Sequence, residues 1–325
     1  MTGSWAKLFL AFSLSAMCAA QSARAVDLPA RDLLRHGRPV EAANSLEQQL
    51  SHSPDQAELH FLLCRSYYAQ GKWDPAIQHG ERAIALAPSN SEYHLWLGRA
   101  YGQKAERSSW FTALSLARKL RSQFEKAVEL DGSNLSARSD LAEFYIEAPS
   151  IIGGGTDKAL AQAAQVASQD ASLAHWINAR VAEKRSDAVH AENEYKEAIT
   201  SSGGRPDQWL NLASFYRKQN RYAEMELAIH KAVSAEKHPS ETLTDAAGLL
   251  LRTGRSLDDA ARFVRQYIAT PDKSETEPEF RAHYLLGEIL EKQGDKNGAA
   301  TQYQQALALL KDFPEAQQAL ARVRR

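Results

Sequence analysis

The sequence predicts an all-α protein, a stack of repeated helical units. Three observations carry that prediction. Apolar residues recur at i, i+3, i+4 and i+7 over long stretches, small residues recur at a near-constant interval, and no segment alternates apolar and polar residues as a half-buried strand does. The stretches between breaks are rich in Ala, Leu, Glu, Gln, Lys and Arg, all good helix formers. With 325 residues, 44% hydrophobic and 24% charged, the composition is globular. A formal net charge of -1 gives no overall pull toward nucleic acid or anionic lipid.

The first residues read differently. Lys7 is the only charge before an apolar run from Leu8 to Ala20, and Ala23-Arg24-Ala25 offers small residues at the -3 and -1 positions. This is the pattern of a secretory signal peptide over residues 1–25, with cleavage after Ala25 and export to the bacterial periplasm expected. The apolar run is 13 residues, short for a bilayer span, so no integral membrane span is expected. A lipoprotein reading would use Cys18, but Met17 before it and Ser15 three before it fit that reading poorly. Removing residues 1–25 takes away Lys7 and Arg24 and leaves 37 basic and 40 acidic residues, a formal charge of -3. Only Cys64 then remains, so stability must come from an extensive core without disulfides.

The units follow in order. A degenerate first unit is expected over residues 28–56, where Gly37, Ala42 and Leu46 fit but the first helix is short. "ELHFLLCRSYYAQGKWDPAIQHGERAIALAPSN" is then followed by "EYHLWLGRAYGQKAE", and the register recurs to the C-terminus. Small residues stand at Cys64, Gly98, Ala142, Ala179, Ala213, Gly248 and Gly287. Three further on come Tyr67, Tyr101, Tyr145, Ala182, Tyr216, Leu251 and Leu290. A second small pair recurs as Ala76 with Ala83, Ala191 with Ala198 and Ala299 with Ala306, and more loosely elsewhere. Pro54 and Pro88, 34 residues apart, end successive second helices. Pro314 opens a last helix with Ala316, Leu320 and Val323 on one stripe, a cap for the open face of the stack.

These recurring elements resemble the tetratricopeptide repeat, roughly 34 residues forming two antiparallel helices, A and B. The small residue is its eighth position, where helix A packs closely on its neighbour. The resemblance covers residues 28–313 and implies a right-handed superhelical solenoid of about 7–8 repeats, a single unit over residues 26–325 with clear repeats over 57–313 and a capping helix over 314–325.

Spacings between the small residues are 34, 44, 37, 34, 35 and 39. The excess points to insertions near residues 104–120 and 148–156, both at the A-to-B turn. Equivalent turns of adjacent repeats lie side by side on one edge, so Trp110, Phe111 and Leu114 are expected to meet Ile151 and Ile152 in one apolar patch. The runs Ala100–Glu106, Phe124–Asp131 and Phe144–Ala159 resemble those of a group of exported bacterial tetratricopeptide proteins that has no well-defined activity.

Candidate chemistry is sparse. Gly153-Gly154-Gly155 follows a helix and precedes Thr156-Asp157-Lys158, whereas a phosphate loop follows a strand and precedes Gly-Lys-Ser/Thr. The run reads as a hinge with Thr156 as N-cap, an anion at the helix start being the alternative. His60 and Cys64 share a helix face, but both occupy packing positions and no second Cys or HExxH pair supports a metal. The other histidines look scattered, and no nucleophile or paired-carboxylate motif appears, so no cofactor, metal or catalysis is expected.

The concave face is the better candidate. Carrying the family's groove positions over to this register gives Phe61, Arg65, Tyr68, Arg99, Trp176, Arg180 and Arg217, with Arg at the ninth position in three repeats. Arginine beside aromatic rings suits carboxylates and apolar side chains of a bound peptide, although the same residues also suit a solvated charged face. The Lys-and-Asn clamp of chaperone-binding relatives is absent, since Phe61 and Arg65 stand where it would begin. The expectation is an exported interaction scaffold holding a protein or peptide partner in its groove, with no nucleic acid. The insertion edge of Trp110, Phe111, Ile151 and Ile152 is a second candidate surface, and carriage of a lipid or small ligand inside the superhelix an alternative function.

Overall fold

The computed structural model describes residues 29–325 apart from 238, 239 and 272, and in them seventeen α-helices follow one another. The expected leader, with Cys18 and the cleavage after Ala25, lies outside the described residues. Among the described residues there is no strand, and no helix is long and apolar enough to cross a membrane. The helices form eight antiparallel pairs and a cap. The pairs are α1 (29–35) with α2 (Pro39–Leu50), α3 (Ala57–Ala69) with α4 (Trp73–Leu86), α5 (Ser91–Glu106) with α6 (Trp110–Leu130), and α7 (Leu135–Glu147) with α8 (Thr156–Val166). There follow α9 (Ala171–Lys184) with α10 (Ala188–Ser201), α11 (Pro206–Lys218) with α12 (Tyr222–Ala235), α13 (Glu241–Thr253) with α14 (Leu257–Ala269), and α15 (Glu279–Gln293) with α16 (Lys296–Leu309). Helix α17 (Pro314–Val323) buries Ala316, Ala319 and Val323 against the last pair.

A left-handed residue ends most A helices, where the last carbonyls need a tight reversal of the chain. It falls seven residues after a small one: Gly37 after Ala30, Gly71 after Cys64, Ser186 after Ala179, Asn220 after Ala213, Gly254 after Ala247 and Gly294 after Gly287. This corrects the register of the seventh repeat. Its packing position is Ala247, fully buried, and not Gly248. A Cβ on Gly248 would meet only the Arg252 guanidinium at 3.8 Å, whereas one on Gly98 or Gly287 would lie 2.4 Å from the ring of Phe124 or Tyr303.

Neighbouring repeats are pinned by a recurring tyrosine. Tyr101, Tyr145 and Tyr216 donate to Glu81, Glu125 and Glu192 of the preceding B helix at 2.5, 2.9 and 3.0 Å, and Tyr67 donates to Glu47 in the same way. Where the sequence has Ala182 instead, Tyr195 of α10 donates to Glu183. Four of the ten histidines are in register with the repeat. His60, His94, His175 and His283 all stand four residues before the small position, bonding the preceding loop or the partner B helix: Pro54 and Pro88 carbonyls, Gln123, Glu194 and Gln302.

Both insertions differ from the expected edge patch. The first extends helices instead of adding a loop: α5 has 16 residues against 13 in α3, and α6 has 21 against 14 in α4. The second is a short 3-10 turn, Ser150–Ile152. Trp110, Phe111 and Ile151 remain 68, 83 and 76% exposed, so they do not bury one another, and only Ile152 is buried. The turn is held by Arg121 Nη1, which donates to the Ile152 carbonyl at 3.0 Å.

The stack curls until its last repeats lie over its first. Val40 packs against the cluster of Phe280, Leu310, Phe313 and Ala316. Arg281 Nη2 donates to the Ala69 carbonyl at 3.1 Å, and Arg107 of the α5–α6 corner faces Glu315 at 3.6 Å. Arg65 of α3 grips Glu275 of the α14–α15 loop. The superhelix therefore encloses a lumen walled by its A helices.

Candidate functional site

The lumen wall is a ladder of opposite charges. Arg99 Nε donates to Asp140 at 2.6 Å, joining α5 to α7, and its guanidinium lies 5.0 Å from the centre of the Trp96 ring. Arg180 on α9 reaches back to Glu143 and to Glu147 at 2.9 Å on α7, and forward to Glu183 at 3.1 Å. Lys184 reaches Glu147 at 3.3 Å, and Lys218 on α11 reaches Glu183 at 2.6 Å. The three recurring arginines, Arg65, Arg99 and Arg180, are thus already held by carboxylates of the chain itself. Phe61 is a core residue, 4% exposed with its ring 4.6 Å from that of Tyr93. Tyr68 is wedged edge-on between Trp73 and Trp96, and Trp176 packs half-buried at the junction of two cores.

The ladder breaks at one step. Counted from the small residue, Glu183 occupies position 12 of α9 and receives Lys218 from position 13 of α11. One repeat later, position 12 is Arg217 and position 13 is Arg252. Two guanidinium groups meet where an acid and a base are paired before. Arg217 Nε is buried without a hydrogen-bond partner, and among the described residues neither arginine has an ion pair. Burial first, and then the charge of Arg217, pushes the Arg252 guanidinium below its ordinary pKa, with the Asp245 carboxylate acting against both. Arg252 escapes the sequence reading because Gly248, taken as the small residue, sets the seventh repeat one residue out of register. With Ala247 as the small position, Lys184, Lys218, Arg252 and Lys292 share position 13 as a basic row, and that row is the available signal.

Beside Arg252 lies a cavity of about 420 Å³ that spans the lumen from the α5–α6 corner to α13, α15 and the start of α17. Asp245, Glu277 and Glu288 face it together with Arg107, Arg281 and Tyr284. Burial, helped by Glu241, raises the Asp245 carboxyl to about 6. Burial, against Arg281 and helped by Asp245 and Glu241, raises that of Glu277 to about 7. In each case the folded chain holds the proton more tightly than the unfolded chain, whose ordinary values are 3.8 and 4.5. Their contribution to stability is therefore present at low pH and lost as pH rises through about 6 and about 7. Glu192 acts oppositely. Its hydrogen bond from Arg221 holds it at about 2, and the stability it gives is lost as pH falls below 4.5. The melting temperature is expected to rise as pH falls from 8 to about 5, and Glu277→Gln should remove part of that rise. A melting temperature that climbs steadily from pH 5 to 8 would contradict this assignment.

The glycine run of 153–155 is a steric device. A Cβ on Gly154 would fall 1.8 Å from the Ala148 carbonyl oxygen, and Gly153 adopts φ +95° beneath Arg121. The N-cap of α8 is Gly155, so Thr156 is the first helical residue and not the cap; its hydroxyl receives Arg185 Nη2 at 3.0 Å. Lys158 Nζ turns back to the Gly153 carbonyl at 2.8 Å. Cys64 is fully buried, and that burial pushes its thiol up to about 12.

Models of the tetratricopeptide repeat match residues 33–100 and 280–313. A curated relative, cellulose synthase operon protein C of Pseudomonas fluorescens (strain SBW25), is 24% identical over 299 residues, 88% of this chain and 21% of that protein. The chain spans about a fifth of the length of that relative. Among solved structures, yeast Tom70 superposes with a TM-score of 0.55 at 16% identity, over 88% of this chain and 58% of that one. A tetratricopeptide protein of Thermus thermophilus gives a TM-score of 0.48 at 18% identity, over 63% of this chain and 98% of that one. Likeness at these identities is one of fold alone. Between the two matched segments run helix pairs of the same kind, and left-handed turns recur in the same register wherever no insertion interrupts them. The chain carries tetratricopeptide repeats near both ends of its described residues, joined by helix pairs that follow the same pattern.

Proposed function

We propose that the chain is an exported interaction scaffold that holds an extended polypeptide segment in its lumen, without covalent chemistry. One observation carries this reading: Arg217 and Arg252 form the one step of the α5-to-α13 ladder where two cations meet and, among the described residues, neither has an ion pair. A guanidinium pair in a partly desolvated wall binds a carboxylate through short, bidentate hydrogen bonds. The occupant is then a segment with a Glu or Asp side chain at that step, and the adjoining cavity takes the neighbouring residues.

The exposed apolar residues Trp110, Phe111 and Ile151 favour a second reading, a docking edge on the outside of the insertions. Two double variants separate them. The lumen reading expects Arg217→Glu with Arg252→Glu to lose the partner while Trp110→Ala with Phe111→Ala keeps it, with helicity intact in both. The reverse pattern would transfer the interface to the edge.

A further inference from the structure

The loop of residues 270–278 between α14 and α15 is longer than the four-residue connections 87–90, 131–134, 167–170 and 202–205. It accounts for the last wide spacing between small residues, and the interaction fold has no use for it as a connector. Its base is tied to its own repeat. Ser274 N donates to Tyr267 Oη at 2.8 Å, Ser274 Oγ to Glu241 at 2.9 Å, and Glu277 N to Ser274 Oγ at 3.0 Å. Lys273 is buried, with Nζ on the Ile268 carbonyl at 3.1 Å.

Its tip projects across to the first repeats. There Glu275 takes both oxygens to Arg65, Nε at 2.9 Å and Nη2 closer still. The Arg65 guanidinium lies 5.3 Å from the centre of the Phe61 ring and 5.0 Å from that of Trp96. The two side chains are 20 and 11% exposed. This is a built carboxylate site: a planar cation set against two rings, presented by an A helix toward the lumen, and filled by a glutamate 210 residues away in the same chain. Around it the seam is closed by long side chains, by the contact of the loop with Gly37 and by a single apolar contact, Val40 of α2 against the cluster of Phe280, Leu310 and Phe313. Separating it returns both charges to water and uncovers the small apolar contact of Val40.

We propose that the segment 273–278 is a latch: Glu275 occupies the Arg65 carboxylate site as an intramolecular ligand, and its release opens the seam by which an extended, glutamate-bearing segment reaches the lumen. The entry of a partner rests on the lumen reading above; the latch itself does not.

The test uses the full chain with Cys18→Ser and spin labels at Gln48→Cys on α2 and Gln304→Cys on α16, both exposed sites, with Cys64 buried and silent. The expected wild-type result is one narrow distance. Glu275→Gln and Arg65→Gln should each add a longer population, and the exchange Arg65→Glu with Glu275→Arg should return most molecules to the short one. In parallel, a fluorescent peptide of sequence TPDKSETEPE should bind Glu275→Gln at least tenfold more tightly than wild type, and lose that gain when Arg65→Gln is added. A single unchanged distance in both single variants, or equal peptide affinity for wild type and Glu275→Gln, overturns the latch. Because neither readout involves Arg217 or Arg252, failure of the lumen reading leaves both results intact.

Discussion

Gly98→Leu and Gly287→Leu are expected to destabilise the chain by about 3 kcal/mol or more each, while Gly248→Ala stabilises it by about 0.5–1 kcal/mol. All three glycines read alike in the sequence. In the structure, a Cβ at the first two would stand 2.4 Å from a ring carbon of Phe124 or Tyr303. Those rings are themselves buried between helices, at 5 and 0% exposure, and have no space to retreat. Gly248 faces the lumen, where a methyl group meets only the far end of Arg252 at ordinary contact distance. The gain there comes from restricting the unfolded chain and from helix propensity. Chemical denaturation of the three variants checks the pattern. A destabilising Gly248→Ala would restore Gly248 as the packing position and refute the register assigned to the seventh repeat.

Reversal of the arginine pair has the second large effect. Arg217→Glu with Arg252→Glu should weaken partner binding at least a hundredfold. Loss of a buried, hydrogen-bonded charge contact costs about 2–5 kcal/mol, and each tenfold in affinity corresponds to about 1.4 kcal/mol. The single variant Arg252→Glu is more diagnostic. It sets an acid opposite Arg217 and so completes the ladder in reversed polarity. At pH 5, where Asp245 beside it is protonated, the folded chain should become more stable, by up to about 1 kcal/mol for a partly exposed pair, while binding falls by a similar hundredfold. Stability gained together with binding lost identifies a site whose unpaired charge is kept for a ligand. A variant that is both less stable and still binds would show the pair to be structural.

Much of this protein is legible before its structure is known. The small-residue register depends on close approach of helices, which only a few residue types permit, so it marks nearly every A helix correctly. The glycine run at 153–155 likewise reveals itself through its neighbours, although Gly155 and not Thr156 takes the cap. Other features fail to show for physical reasons. The seventh repeat offers Ala246, Ala247 and Gly248 in succession, and only the left-handed turn at Gly254 selects among them. Arg65, Arg99 and Arg180 share a position and look available, but Glu275, Asp140 and Glu143, which hold them, lie 210, 41 and 37 residues away, and of their acids only Glu183, three residues after Arg180, is local. Insertions at adjacent turns should meet, which would cover Trp110 and Phe111. Instead the first insertion forms helix and carries both rings outward.

The most direct test of the account places a photo-reactive benzoylphenylalanine at Asp245 in the lumen and, separately, at Phe111 on the outer edge, with crosslinking in intact cells. The account predicts partner adducts from position 245 that disappear on adding Arg217→Glu with Arg252→Glu, and none from position 111. Adducts from position 111 alone, unaffected by the arginine reversals, would contradict it.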